Sequence, residues 1–275
     1  MSARRIGLAL GGGGARGLAH IHALQAFDDL GVRPAAIAGT SIGAIYGAAY
    51  ASGLSAAELR AHTAAMLRTR GDVVGKLWKA RVGRLPDLFG AGSRNPVLLD
   101  AETLMELFLP EGVAETFEEL AIPFAAIATD FFARAEIVFR DGPLRPAVAA
   151  SMAIPGLFRP VVHRDRTLID GAMTNPLPFD VLGDVDAVIA VDVTGGAVLD
   201  GPRPPNALEV GLGSVQIMQA AIVALKLERR APDAVIRPHV EAITLLDFLK
   251  TSAVLRATER TREETKRAIE AALAS

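Results

Sequence analysis

Cysteine is absent from this 275-residue sequence, which excludes disulfides, thiolate nucleophiles and zinc sites built on cysteine. Charge of one sign is also lacking: 29 basic and 31 acidic residues leave a net charge of −2, and we expect no nucleic-acid partner. The five histidines show no HExxH or other close ligand spacing, so we expect no metal site. What is present is an ordinary globular composition, 51% hydrophobic, in a chain long enough to bury a core without crosslinks.

Hydrophobic runs long enough for targeting or membrane insertion are scarce. The N-terminal apolar run is too short for a secretory signal. Residues 34–54 carry no charge and have the length of a membrane span, but Gly39, Ser41 and Gly53 interrupt them. This favours a buried strand, turn and helix, and we expect a cytoplasmic protein.

Alternating strands and helices begin the chain. Residues 6–10 form an apolar run that ends in four glycines, residues 16–30 have a helical pattern, residues 35–38 resemble a second strand, and residues 42–52 resemble a buried helix. This order predicts an α/β fold with a central, mostly parallel sheet flanked by helices. Further strands are predicted at 124–128, 136–139, 167–169 and 188–193, and further helices at 55–69, 101–108, 206–230 and 251–273.

Two glycine-containing turns follow the first two strands. Gly11-Gly12-Gly13-Gly14-Ala15-Arg16-Gly17 follows the first, and Gly39-Thr40-Ser41-Ile42-Gly43 follows the second. In a right-handed strand-helix-strand unit both turns emerge at the same edge of the sheet. A Gly-x-Ser-x-Gly turn between strand and helix exposes a nucleophilic serine, and glycine-loop amides can hold an oxyanion beside it. The simpler alternative is that Ser41 only caps the helix.

Gly12, Gly14 and Gly17 also satisfy the G-x-G-x-x-G pattern of dinucleotide-binding proteins. That alternative requires an acidic residue at the end of the second strand to bind the ribose. Asp28 and Asp29 lie on the preceding helix instead, which disfavours a nucleotide cofactor.

A serine nucleophile needs a base, and Asp170 at the end of an apolar strand is the candidate. Gly171 and Ala172 follow it and leave room for a close approach of the backbone. The simpler alternative is that Asp170 only stabilises a turn. His239 is the one histidine after Asp170, but a Ser-Asp-His order of the α/β-hydrolase type places the serine turn later in the sheet.

Together, the glycine loop, the serine turn, the segment from Ala150 to Phe158 and Asp170-Gly171-Ala172 resemble the patatin-like phospholipase family. The resemblance implies a serine acyl hydrolase that cleaves carboxylic esters of lipids through an acyl-enzyme, without a cofactor. It assigns Ser41 as nucleophile and Asp170 as proton acceptor. It places an oxyanion hole at Gly12, Gly13 and Gly14, with the remaining motif positions at Arg16, Gly17, Gly39, Gly43, Gly171 and Ala172.

The resemblance also divides the chain. Residues 6–178 would form the patatin-like catalytic core, and residues 179–275 would complete the same domain with further strands and helices. A non-catalytic or regulatory relative is the remaining alternative, but the presence of both Ser41 and Asp170 disfavours it.

A basic segment at residues 66–86 contains six basic residues, one acidic residue and Trp78, the single tryptophan. Basic amphipathic segments of this kind suit peripheral contact with an anionic membrane. An ordinary surface helix with its apolar side on the core explains the same pattern.

Overall fold

Helices pack on both faces of one central sheet in the computed structural model, which describes residues 4–67, 81–82, 98–195, 207–245 and 247–275. The strands are β1 (Ile6–Leu10), β2 (Ala36–Thr40), β3 (Arg81–Val82), β4 (Leu98–Leu99), β5 (Phe124–Asp130), β6 (Ala135–Phe139), β7 (Val161–His163), β8 (Arg166–Asp170), β9 (Ala187–Val191) and β10 (Ala234–Ile236). The helices are α1 (His20–Leu30), α2 (Ile42–Ala51), α3 (Ala56–Met66), α4 (Ala101–Phe108), α5 (Leu144–Ser151), α6 (Ala207–Arg229), α7 (Thr251–Ala257) and α8 (Arg260–Ala274).

The sheet is mixed, with a parallel centre. Strands β10, β9, β1, β2 and β5 are neighbours in that order and all run parallel. Strands β6 and β8 are antiparallel to β5, and β7 is antiparallel to β8. Strands β3 and β4 form a separate antiparallel pair. The predicted α/β class, with a central and mostly parallel sheet in a single domain, is confirmed.

Strands β2 and β8 lie one after the other along the same side of β5. Strand β6 pairs with residues 126–130 on one side of β5. On the other side, β2 pairs with residues 124–127, and β8 pairs with residues 128–130 in the opposite direction. The carboxyl ends of β2 and β8 therefore meet head to head beside β5. This arrangement brings together residues 41 and 170, which are 129 positions apart in the sequence.

A row of four alanines crosses the parallel centre of the sheet. Ala190, Ala9, Ala38 and Ala125 are register partners on β9, β1, β2 and β5, and all four are buried. They belong to a core layer that includes Leu177, Phe179 and Leu182 of the segment before β9 and Val223 of α6. Small side chains on the sheet leave the volume of this layer to the larger residues that cover it.

Helix α6 covers this face of the sheet but leaves much apolar surface exposed. Among the described residues, its segment Val210–Arg229 alone is long and apolar enough to cross a membrane by length and composition. The mean hydropathy is 1.5, and 11% of its apolar stretch is buried. Lys226 fixes the helix to the body through hydrogen bonds to the Leu177 carbonyl (3.0 Å) and to Asp180 (2.6 Å). Ile217, on the outer side, is 73% exposed.

Three predictions for long segments have different outcomes. Residues 34–54 contain β2 and the buried helix α2, so the predicted strand, turn and helix are confirmed. The single helix predicted at 251–273 is wrong, because α7 ends at Ala257 and α8 begins at Arg260. Between them the backbone tightens, and the Thr261 N–H donates to the Thr258 carbonyl three residues back (3.1 Å). The basic segment at 66–86 lies outside the described residues, except for residues 66–67 and the backbone of β3.

Candidate functional site

Ser41 occupies a sharp turn between β2 and α2. Its backbone has φ 55° and ψ −121°, a left-handed conformation that is costly for a residue with a side chain. The backbone N–H of Ser41 donates to the hydroxyl of Ser151 at the end of α5 (2.9 Å), which helps to hold the turn. Ser41 is 5% exposed. Strained serine turns of this type place the hydroxyl above the sheet edge, where a substrate can reach it.

Asp170 meets this hydroxyl from the end of β8. The Ser41 Oγ donates to Asp170 Oδ2 at 2.7 Å, and the other carboxylate oxygen accepts the backbone N–H of Ala172 at 2.8 Å. The backbone of Asp170 is fixed as well, because its N–H donates to the Ala153 carbonyl (3.0 Å) and its carbonyl accepts the Thr129 hydroxyl (3.0 Å). The carboxylate is therefore held with one oxygen directed at Ser41.

Burial raises the pKa of Asp170 from 3.8 to about 7, although the hydrogen bonds from Ser41 and Ala172 act in the opposite direction. Asp170 is 2% exposed, so its carboxylate loses the hydration that stabilises its charge. A carboxylate with this pKa is a far better proton acceptor near neutral pH than a solvated aspartate.

The same burial predicts a pH-dependent cost in stability. An unfolded aspartate titrates near pH 3.9, whereas the folded value is about 7. The folded protein therefore binds one more proton between these values. Its free energy of unfolding should fall with rising pH there, by about 1.4 kcal/mol per pH unit and roughly 4 kcal/mol in total. Asp170→Asn removes this titration while keeping an oxygen for the Ala172 N–H.

Urea unfolding of wild type and Asp170→Asn at pH 5, 6, 7 and 8 measures this cost. The difference in unfolding free energy, variant minus wild type, should increase up to pH 7 and then level off. All other titrating groups are common to the two proteins and cancel in the difference. A constant difference from pH 5 to 8 would contradict the raised pKa.

The glycine loop after β1 lies against Ser41 on the other side. A Cβ built on Gly12 would be 3.4 Å from the Ser41 Cβ and 3.2 Å from that of Ala172. The backbone N–H of Gly12, however, donates to the Pro176 carbonyl (2.9 Å). The expectation that Gly12 supplies an oxyanion-hole amide is therefore corrected, because its donor is already used. Within the described residues, the N–H groups of Gly13 and Gly14 donate to no acceptor.

Glycines allow the backbone of the motifs to lie close to neighbouring segments. Gly14 has φ 56°, and a Cβ there would overlap the Leu245 carbonyl. A Cβ on any of the other predicted motif glycines would overlap a neighbour: the Ile42 side chain at Gly17, the backbone of α2 at Gly39, the Leu10 carbonyl at Gly43 and the Ile127 carbonyl at Gly171.

Arg16, the basic residue of the glycine-loop motif, is buried, which is uncommon for an arginine. The residue is 1% exposed. Its Nε donates to the Ile243 carbonyl (2.8 Å), and its terminal nitrogens donate to the Thr194 carbonyl and to Gln216 (both 3.4 Å). Burial lowers the pKa of this guanidinium. None of these partners belongs to the Ser41–Asp170 pair, so Arg16 ties the glycine loop to α6 and to the chain that follows β9.

The alternative site residues lie elsewhere. His239 is exposed and lines a surface cavity together with Arg256 and Arg260. Asp28 accepts hydrogen bonds from the Tyr50 hydroxyl and the Ala56 N–H, and Asp29 pairs with Arg262, so neither acid is at the end of β2. In the described part of the chain, no three His, Asp or Glu side chains are grouped to hold a metal.

Sequence analysis did not identify two supporting residues. Ser151, which accepts the Ser41 N–H, lies in the family-like segment from Ala150 to Phe158, but nothing in the sequence indicates its contact. His20 is fully buried behind the glycine loop, with Nε2 2.8 Å from the Gly11 carbonyl. Burial lowers its pKa to about 4, so the imidazole stays neutral and Nε2–H donates to that carbonyl.

An apolar cavity opens at the Ser41–Gly14 side of the site. Its volume is about 280 Å³, and residues of α2, α4 and β4 line it, together with Leu67 after α3 and the segments after α5 and before α7. No described residue that lines it is charged. Its walls include Ile42, Ile45, Leu104, Met152, Leu157 and Phe248. The site therefore combines a buried serine–aspartate pair with a pocket for an apolar group.

Comparisons with known proteins give a matching family model and several relatives. A family model described as patatin-like phospholipase matches residues 8–182. An uncharacterized NTE family protein of Mycobacterium tuberculosis H37Rv is 37% identical over 198 residues, which cover 70% of this chain and 50% of that protein. A second such protein of the same strain is 31% identical over 285 residues, which cover 94% of this chain and 46% of that protein. The chain thus spans about half the length of these curated relatives.

A solved structure shares the fold. The crystal structure of VipD from Legionella pneumophila superposes with a TM-score of 0.52 and 14% sequence identity, covering 98% of this chain and 67% of that one. At this identity the likeness concerns the arrangement of strands and helices.

Proposed function

The chain belongs to the patatin-like phospholipase family, and from this premise we propose that it is a lipolytic serine hydrolase that cleaves carboxylic esters of lipids with Ser41 as nucleophile and Asp170 as base. One observation carries the proposal: the 2.7 Å hydrogen bond from the Ser41 hydroxyl to a buried carboxylate. A serine that only caps a helix accepts a hydrogen bond from a backbone N–H in the first turn. The Ser41 side chain makes no such bond to α2.

In the first step of the proposed reaction, Ser41 Oγ attacks the ester carbonyl carbon while its proton passes to Asp170 Oδ2. The carbonyl oxygen becomes an oxyanion, which the free N–H groups of Gly13 and Gly14 stabilise. Losing one such donor costs roughly 3–4 kcal/mol in well-studied enzymes. Asp170 then returns the proton to the leaving alcohol, and the acyl group remains on Ser41.

In the second step, a water molecule gives a proton to Asp170 and attacks the acyl-enzyme. Collapse of this second tetrahedral intermediate releases the carboxylic acid, and Ser41 recovers its proton from Asp170. A single carboxylate therefore acts as base and acid in each half-reaction, and its pKa of about 7 suits both roles near neutral pH.

Labelling with a fluorophosphonate tests this proposal without knowledge of the natural substrate. The serine oxygen forms a bond to phosphorus, fluoride leaves, and the serine proton passes to the base. We expect one adduct, on the peptide that contains Ser41. Because ionised Asp170 is needed, the second-order rate constant should fall about tenfold per pH unit below pH 7 and level off above it.

Two results would overturn this assignment. An adduct on a different serine would remove Ser41 as nucleophile. A rate constant that stays the same between pH 5 and 8 would remove Asp170 as the titrating base. The Asp170→Asn variant serves as the control, since its residual labelling should show no midpoint near pH 7.

A further inference from the structure

We propose that the cavity at Ser41 is an acyl-chain site that is filled by a straight chain of about eight to ten carbons. This inference rests on the proposed function and specifies its substrate. The cavity begins at Ser41 and Gly14, where the ester group would lie, and none of its described lining residues is charged. Such walls suit the hydrocarbon part of an ester and not its head group.

The size of the cavity sets the chain length. A methylene group takes up about the same volume as a water molecule in the liquid, about 30 Å³. The cavity of about 280 Å³ therefore holds about nine such groups. Longer chains would extend past its described walls, so we expect the gain per carbon to end at this length.

Helix α2 forms one wall of the cavity. Ile42 and Ile45 follow Ser41 along this helix, so the chain would run beside its first turns. Ile42, Ile45, Leu67 and Phe248 also line a second cavity, of about 30 Å³, between α2 and α3. These four side chains therefore separate the two spaces, and Ile45 is the one whose truncation would join them.

The test is a series of p-nitrophenyl esters from acetate to palmitate, each below its aggregation concentration. Each buried methylene should raise kcat/KM about fourfold, the factor that corresponds to about 0.8 kcal/mol. We expect the rise to end at eight to ten carbons. A flat series, or a steady rise to sixteen carbons, would overturn the proposed limit.

Three variants test whether Ile45 sets the limit on acyl-chain length. Ile45→Ala should move the end of the rise two to four carbons higher, because it joins the cavity to its neighbour. Ile45→Trp should move it about two carbons lower. Ile217→Ala is the matched control, since this isoleucine is exposed on α6 and does not line the cavity, and it should leave the profile unchanged. Thermal unfolding of each variant shows that it is folded.

A binding measurement separates this inference from the proposed chemistry. Titration calorimetry of Ser41→Ala with fatty-acid methyl esters of four to twelve carbons reports occupancy without turnover. Affinity should increase up to eight to ten carbons and then level off. Uniform affinity across the series would overturn the acyl site even if Ser41 proves to be the nucleophile. Conversely, hydrolysis that persists in Ser41→Ala would overturn the proposed function, while a break in the binding series would still support the site.

Discussion

Ser41→Ala is expected to lower kcat for p-nitrophenyl butyrate by up to about a millionfold, the loss found when a well-studied serine protease loses its nucleophile. The variant should fold, because the backbone N–H that contacts Ser151 remains and the hydroxyl contributes little to packing. The hydrolysis that remains would come from substrate binding and from the amides of the oxyanion hole.

The measurement compares initial rates of wild type, Ser41→Ala and Ser214→Ala, with circular dichroism on each. Ser214 is exposed on α6 and serves as a matched serine that should retain full activity. Activity of Ser41→Ala within tenfold of wild type, with an unchanged spectrum, would refute Ser41 as the nucleophile.

Asp170→Asn should lower kcat/KM for the same ester by roughly 10³–10⁴-fold, near the upper range of what a general base contributes. The amide keeps the shape of the carboxyl group and can still accept the Ala172 N–H, but it cannot take the serine proton. The folded structure should therefore survive while proton transfer fails.

His239→Gln is the matched comparison for this variant. It removes the imidazole that a Ser-Asp-His triad would use, and because His239 is exposed beside Arg256 and Arg260, we expect nearly full activity. Loss of activity in His239→Gln with retention in Asp170→Asn would show that the base has been assigned to the wrong residue.

The elements that sequence patterns predicted well have strong local signals. The apolar run before the glycines is β1, with the same limits as predicted, and the strand, turn and helix at 34–54 follow from residues whose turn chemistry is evident. The glycine loop and Ser41 follow neighbouring parallel strands, so the sequence sufficed to place them at one edge of the sheet. Asp170 was paired with Ser41 through the family resemblance, because β8 runs antiparallel to β5 and no local pattern predicts that its end meets β2.

The elements that were missed lack such signals. The β7–β8 hairpin turns at Arg164 and Asp165, both with positive φ, where Asn-Gly is the pattern that indicates such a turn. Helix α5 contains Pro146 in its first turn, which the backbone tolerates there but which hides the helix. The Gly12 N–H donates to Pro176, and the buried Arg16 donates to Ile243. Both partners are distant in the sequence, so no local pattern predicts these contacts.

Because β2 and β8 meet head to head beside β5, their pairing with β5 fixes the positions of both site residues. The chain between Ser41 and Asp170 does not fix their distance. Instead, the strand before Ser41 is aligned with residue 127 of β5, and Asp170 is aligned with residue 128. Loops that join these three strands can accept insertions at a small entropic cost, since closure entropy grows slowly with length. The exposed turn at Gly112, for example, can lengthen without moving either side chain. A slip of one residue between β5 and β8, in contrast, would turn Asp170 to the opposite face of the sheet. Evolution of this site is therefore free in loop length and constrained in strand register.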